Sequence, residues 1–374
     1  MAKSVVTVGL IGYQFMGRAH SNAYRQVGRF FDLPVAVRMK TLCGRNEALV
    51  KAAAEKLGWE GCETDWRRVV DDPEIDVVDV STPGESHCEI ACAAAEAGKS
   101  VWCEKPVGNT LAEATKMRDA VRRSGRPSVV FHNYRFAPAV ALAKRWIDEG
   151  RLGRVFHFRA AYLQDWIADP SFPRVWRLER AKAGSGALGD IGSHIVDLGR
   201  FLIGEIQSLV GQLETFVTER PLPGGGGSGP VDVDDAAAFI ARFSGGALGT
   251  FEATRFAVGR KNSNRFEINA EKGSLAFDLE RMNELEFYNE LDPPGQRGFK
   301  TVLATGATHP YAPQYWPIGH IIGYEHTFIN LVAEALSRFH QGERFRPDIE
   351  DGYENQRVID AVERSAASKS WVNL

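Results

Sequence analysis

Cysteine is scarce in this chain: five in 374 residues, and all of them (Cys43, Cys62, Cys88, Cys92 and Cys103) lie in its first third. So small and odd a set excludes a disulfide-framed scaffold and fits reduced thiols. Cys88 and Cys92 share a helix face with His87 beside them. The apolar stripe Cys88 to Ala95 explains the pair more simply than a metal does, and no zinc-ligand spacing occurs. No metal is expected. An excess of one charge is also missing. Forty-five lysines and arginines against 48 acids leave a net charge of −3 and an isoelectric point near 6.3. That balance excludes a basic field for nucleic acid or an anionic membrane. No apolar run reaches the roughly 18 residues that would span a bilayer. Met1-Ala2-Lys3-Ser4 runs into a strand without the apolar stretch of a signal peptide, so a cytoplasmic location is expected. Internal repeats are absent. The length and a hydrophobic content of 44% are enough for two domains with sizeable cores.

Chemistry is concentrated in two places. Asp190 and His194 stand four residues apart in Gly189-Asp190-Ile191-Gly192-Ser193-His194, a spacing that puts both on one face of an α-helix. Lys105 follows the strand-like Ser100-Val101-Trp102-Cys103 and precedes Pro106. A histidine that titrates near neutrality and a cation that polarises oxygen suit proton removal from an alcohol. The plainer reading is a helix-face ion pair beside a surface lysine, and the N-terminus decides between the two. There Ser4 to Gly12 reads as a buried strand ending in glycine, Tyr13 to Gly17 as a turn, and Arg18 to Tyr24 as the opening of a helix. This is the order of a dinucleotide-binding, Rossmann-type unit, whose helix N-terminus takes a pyrophosphate. Gly12 and Gly17 fill the outer positions of the glycine fingerprint. Gln14 replaces the middle one, so it must turn outward or the turn must widen.

The first ~130 residues alternate strand and helix at the βαβ rhythm. Gly12, Gly44, Thr82 and Lys105 end successive strands, so a parallel sheet would gather them at its ligand edge. Beyond Gly153 the pattern changes. A strand at Val155–Tyr162 is followed by the Asp190/His194 helix and then by a run of strands from Gln207 to Tyr288. The expected architecture is α/β plus α+β. Residues 1–131 form a dinucleotide-binding domain, and residues 132–374 a substrate-binding and oligomerisation domain on a large open, mostly antiparallel sheet. The Pro221–Pro230 stretch, rich in glycine, is expected to hold no regular structure. Phe239, Ala241 and Phe243 mark a sheet face that a second copy would cover.

With Glu104-Lys105-Pro106 and Gly184 to His194 following a nucleotide fold, the chain resembles the Gfo/Idh/MocA family (glucose–fructose oxidoreductase and inositol dehydrogenase). Within it, Tyr162 to Trp166, Val231 to Asp235, Ala253-Thr254-Arg255 and His309-Pro310-Tyr311 are most similar to the levoglucosan dehydrogenase-like branch. The resemblance implies NAD(P)-dependent oxidation of a ring hydroxyl on a neutral sugar, glycoside, anhydrosugar or cyclitol. It also implies a homodimer or homotetramer. Lys105 would hydrogen-bond the reacting hydroxyl, His194 would be the general base, and Asp190 would hold substrate or histidine. The cofactor would be held by Gly12, Phe15, Met16, Gly17, Arg45, Thr82, His87, Glu104 and Lys105. The sugar would meet Tyr134, Gln164, Trp166, Trp176, Arg177, Asp190, His194 and Tyr324, with His309 and Tyr311 at the rim. Gly44-Arg45-Asn46 offers no carboxylate for the ribose. Arg45 can accept a 2′-phosphate or stack on adenine, which leaves NAD and NADP both open. A redox glycosidase with tightly held NAD and an inositol dehydrogenase are the alternatives. A regulator that merely binds dinucleotide would lack the Lys105/His194 pair.

Overall fold

The computed structural model describes residues 4–374. The chain divides into two compact units, Met1–Phe136 with Gly323–Glu354, and Ala137–Ile322 with Asn355–Leu374.

Six parallel strands make the first unit's sheet: β1 (Ser4–Ile11), β2 (Val35–Cys43), β3 (Gly61–Glu63), β4 (Val77–Val80), β5 (Ser100–Cys103) and β6 (Ser128–Val130), in the order β3-β2-β1-β4-β5-β6. Helices α1 (Phe15–Phe30), α2 (Glu47–Leu57), α3 (Trp66–Asp71), α4 (His87–Glu96) and α5 (Leu111–Ser124) connect them. The central strands β4 and β5 are short runs buried on both faces, as parallel strands under helices must be. Local chemistry sets the helix ends. Asn46 accepts the Leu49 N–H at 3.0 Å, and Gly58 closes α2 with φ 82°. Thr110 and Glu113 form a reciprocal capping box that starts α5. Chain order reverses between β1 and β4, so the C-terminal ends of those strands flank the crevice in which such sheets bind ligands. Helix α1 begins at Phe15 rather than Arg18, which shortens the glycine turn to Tyr13-Gln14.

The second unit is built on nine strands. These are β7 (Val155–Leu163), β8 (Ile206–Glu214), β11 (Ala236–Phe243), β12 (Leu248–Thr254), β13 (Ser263–Ala270), β14 (Gly273–Asp278), β15 (Glu284–Asn289), β16 (Lys300–Leu303) and β17 (Val372–Asn373). Their order is β16-β15-β14-β13-β7-β12-β11-β8-β17, antiparallel throughout except for the β7–β12 pair. Phe158, Phe239, Phe243, Phe251 and Phe266 interlock on the inner face. Helix Ser193–Leu202 lies on them. Its Gly199 lets the helix sit close, because a Cβ there would stand 3.1 Å from both Phe158 and Phe251 and press on the rings. Removing one such ring costs about 3–5 kcal/mol.

Two expectations are corrected here. Phe239, Ala241 and Phe243 point inward and are buried, because a strand alternates and this row is the one under the helices. The outward row is Ala238, Ile240 and Arg242. The stretch ending at Pro230 does hold regular structure. Strands β9 (Glu219–Pro221) and β10 (Ser228–Pro230) pair antiparallel, joined through Gly224 to Gly227, all at positive φ.

Candidate active site

The first unit presents a turn shaped for a diphosphate. Gly12 has φ 113°, and a Cβ on Gly17 would fall 2.1 Å from the Gly12 carbonyl oxygen, so the strand and α1 close to a separation only glycine permits. Gln14 is exposed and turned outward. No side chain caps α1, and no acid lies in its first turn. Backbone donors at the positive end of a sixteen-residue helix therefore fit an anion. Phe15 and Met16 begin that helix. Phe15 is 64% exposed, and its ring lies parallel to that of Tyr324 at 6.2 Å. Tyr324 in turn meets Tyr134 at 6.2 Å, and burial, first of all, pushes its hydroxyl pKa well up.

Thr82 and His87 knit the neighbouring strand ends. One ring nitrogen of His87 faces the Thr82 carbonyl at 2.7 Å and the other the Pro106 carbonyl at 2.9 Å. Burial, the largest influence, holds its pKa below the usual value, so a neutral ring donates to one of the two. Thr82 Oγ1 accepts from Ser86 at 2.7 Å. Glu104 is buried, and its Oε2 accepts the Lys105 backbone N–H at 3.1 Å.

Beneath Glu104 lies a charged cluster that the sequence reading missed. His20 of α1 is fully enclosed, with Nδ1 2.9 Å from Asp79 Oδ2 and Nε2 3.0 Å from Glu104 Oε1. Tyr24 donates to the same Asp79 oxygen at 2.6 Å. Desolvation opposes charge on the ring, but the two carboxylates outweigh it and raise the pKa to about 9. Asp79, an acid inside the apolar run Val77-Val78-Asp79-Val80, was the available signal.

At the end of β2, the Tyr13 ring packs flat over Gly44. A Cβ at Gly44 would lie 2.1 Å from Tyr13 Cε1. Arg45 is exposed, and Asn46 is committed to its capping bond. The carboxylate missing from this turn is thus replaced by an aromatic lid on the glycine.

The second unit holds Asp190 and His194, but not on one regular turn. Leu188–Gly192 is a π-helical segment that passes into the α-helix Ser193–Leu202, so the i, i+4 spacing no longer marks a single α-helical face. Gly186 and Asp234 set the widened turn. A Cβ on Gly186 would overlap the Asp234 carbonyl oxygen at 1.7 Å, and the Asp234 carboxylate accepts the Gly186 and Leu188 N–H groups at 2.7 Å each. Arg255 is wholly buried and donates through Nη2 to the Gly186 carbonyl at 2.8 Å and to Asp190 Oδ2 at 3.0 Å. His194 is buried, with the Tyr162 ring 5.8 Å away.

From Tyr162 a polar chain runs outward. Its hydroxyl donates to Asn262 Oδ1 at 2.7 Å, Gln164 Nε2 donates to the same oxygen at 2.9 Å, and Trp166 Nε1 donates to Gln164 at 3.0 Å. Trp166 also lies under the Arg255 guanidinium at 5.4 Å. Arg177 stacks on Trp176 at 4.3 Å. Asp165 is tied to Lys261 at 2.7 Å, and Arg135, in the first unit, to Asp351 at 3.4 Å. His309 Nδ1 accepts the Gly306 N–H at 2.8 Å.

Thus the first unit gathers Gly12, Phe15, Met16, Gly17, Thr82, His87, Glu104, Lys105, Tyr134 and Tyr324. The second brings Asp190, His194, Gln164 and Trp166 together and holds Trp176 and Arg177. Tyr13, His20, Asp79, Arg255 and Asn262 were not anticipated as parts of either group. Among the described residues no helix is long and apolar enough to cross a membrane.

Comparison with known proteins bears on the family and the fold. Residues 6–132 match the model of the oxidoreductase family with an NAD-binding Rossmann fold. Residues 140–276 match the GFO/IDH/MocA C-terminal domain. A levoglucosan dehydrogenase from Pseudarthrobacter phenanthrenivorans is 44% identical over 99% of this chain and 98% of its own length. A solved levoglucosan dehydrogenase in complex with NADH and levoglucosan superposes with a TM-score of 0.97 at 45% identity, covering 99% of both chains. An oxidoreductase domain protein from Kribbella flavida superposes at 0.96 with 53% identity, again over 99% of both.

Proposed function

The chain belongs to the GFO/IDH/MocA oxidoreductase family, and on that premise we propose that it oxidises a ring hydroxyl of a neutral anhydrosugar, levoglucosan foremost, with NAD. The observation that carries this reading is the Tyr162–Asn262–Gln164–Trp166 chain beside His194. It offers amide and indole groups to hydroxyls and aromatic faces to ring C–H groups, and the cation beside it, Arg255, is paired with Asp190. The full-length likeness to a levoglucosan dehydrogenase, in a structure holding NADH and levoglucosan, supports it.

Gly12, Gly17 and the first turn of α1 would hold the dinucleotide diphosphate, with Phe15, Met16, Thr82, His87, Glu104 and Lys105 around it. The cofactor, when bound, supplies the hydride acceptor. The protein's own task is the proton. Lys105 donates to the reacting oxygen and favours its anionic form. His194 takes the hydroxyl proton. Asp190, paired with Arg255, stabilises the imidazolium that results or orients a neighbouring hydroxyl. Arg45 leaves NADP tolerable without requiring it.

We also assign a homodimer or homotetramer to the outer face of the nine-stranded sheet. There a shallow groove of about 940 Å³ is lined by Ile240, Ala238 and Ala161 among Arg159, Glu252 and Glu267. Sedimentation of Ile240→Asp against wild type tests this, and a wild-type monomer at micromolar concentration would end it. The function is tested by a panel of levoglucosan, glucose, glycosides and inositols, with NAD and NADP separately, following reduced-cofactor absorbance. Turnover of an inositol well above that of levoglucosan would overturn the substrate reading.

A further inference from the structure

His20 has a carboxylate at each ring nitrogen, and two anionic acceptors favour a ring that carries a proton on both. The clamp spans three elements: α1 supplies His20, β4 supplies Asp79, and the end of β5 supplies Glu104. Each partner is otherwise fixed. Tyr24 donates to Asp79. The Phe131 ring lies over the imidazole at 3.8 Å between centroids, and Phe328 closes in at 5.5 Å. The second Glu104 oxygen accepts the backbone N–H of Lys105. A carboxylate gripped at one oxygen by a cation and at the other by the next residue's amide cannot rotate, and neither can the turn it belongs to. The same helix therefore opens at the glycine turn and closes on the strand end that carries Lys105.

We propose that His20 is a positioning residue for Lys105: held between Asp79 and Glu104, its ring locks the Glu104 side chain onto the Lys105 amide and so fixes where the lysine stands. The inference rests on the role given to Lys105 above and adds to it a mechanical support reaching from α1. Misplacing a reacting group by about 1 Å can cost on the order of a hundredfold in rate. His20 should therefore register in turnover rather than in cofactor affinity.

The test is a double-mutant cycle of wild type, His20→Gln, Lys105→Ala and the pair, assayed with levoglucosan and NAD. NADH binding is followed by fluorescence, and the ¹⁵N imidazole spectrum is recorded on the apo protein. Both N–H donors of glutamine sit on one nitrogen, so it cannot span the two carboxylates that the ring bridges. The expected result is a kcat lower by about tenfold or more in His20→Gln with NADH affinity unmoved. In the Lys105→Ala background the same change should cost less than about threefold, since residues acting through one another are not additive. The imidazole should be doubly protonated at pH 7.5. If His20→Gln fails to fold, Asp79→Asn, which removes one of the two carboxylates that hold the ring, takes its place in the cycle. Losses that multiply across the cycle, a His20→Gln enzyme as fast as wild type, or a neutral His20 ring would each overturn the proposal alone. Near-normal turnover of Lys105→Ala would instead overturn the reading beneath it, and the proposal with it.

Discussion

Two buried charged clusters, one in each unit, are satisfied in different ways. In the first, His20, Asp79, Tyr24 and Glu104 satisfy one another. In the second, the enclosed guanidinium of Arg255 uses one nitrogen twice while its Nε and Nη1 find no acceptor among the described residues. The amide of Asn264, one strand over from Tyr162, is likewise unmatched at both ends. The contrast separates a frame from a reader. A closed network fixes geometry before anything binds, whereas buried donors without acceptors make a site costly until water or a ligand's oxygen completes it. Cofactor chemistry is the same for every substrate and suits the frame. Discriminating one sugar from another suits the reader.

The contrast breaks most completely if neither unit's proposed chemistry matters. His194→Ala and Lys105→Ala should each lower kcat about a hundredfold or more while NADH binding persists. Steady-state kinetics beside fluorescence titration checks this, and near-normal turnover removes that residue from the mechanism. Next in size is Arg255→Met. It removes the Arg255 contact from Asp190, whose carboxylate is 28% exposed, so the stability loss should be about 1–3 kcal/mol rather than the full cost of a stranded buried charge. Urea unfolding measures it, and KM for the sugar should rise with it.

The frame can be sharpened by pH. The His20 pKa is raised from about 6.5 to about 9. Its contribution to stability is therefore complete below pH 6.5 and is lost as pH climbs through 9, because the unfolded chain releases that proton first. Wild-type Tm should fall across this window more steeply than that of His20→Gln. The difference between the two curves cancels the thiols, which titrate in both. Parallel curves would mean the ring is neutral. The smallest effect belongs to Arg45→Ala. It should weaken NADP severalfold more than NAD, the loss expected of one exposed charge-assisted hydrogen bond of about 1 kcal/mol. Equal weakening of both cofactors would make Arg45 an adenine platform.

Much of this was readable from the sequence. Valine-rich runs ending in Gly12, Gly44, Thr82 and Lys105 announce parallel strands with one working edge. The strand run after Gly204 announces the second sheet. Local signals carry that far because alternation and capping are short-range. The remainder depends on distance along the chain. His20 meets carboxylates 59 and 84 residues away, and Arg255 meets Asp190 across 65. The π-helical turn depends on Gly186 being pressed against Asp234, which nothing in Gly184 to His194 discloses. The inward facing of Phe239 and Phe243 depends on which side the helices cover. An alternating strand cannot say which of its two rows that will be.

Tyr13 lying on Gly44 has a consequence for how such a chain could change. A carboxylate at position 44 is the ordinary route to a firm grip on an adenosine ribose. Here the first atom of any side chain would collide with a tyrosine ring 31 positions earlier. The acid fits only once that ring has swung aside or been replaced. The ring must give way first, and a chain that loses the ring before gaining the acid passes through a form whose turn is held by neither. The order of substitutions therefore matters as much as their identity. A laboratory lineage selected for tighter NAD use should repeatedly alter position 13 before, or together with, position 44.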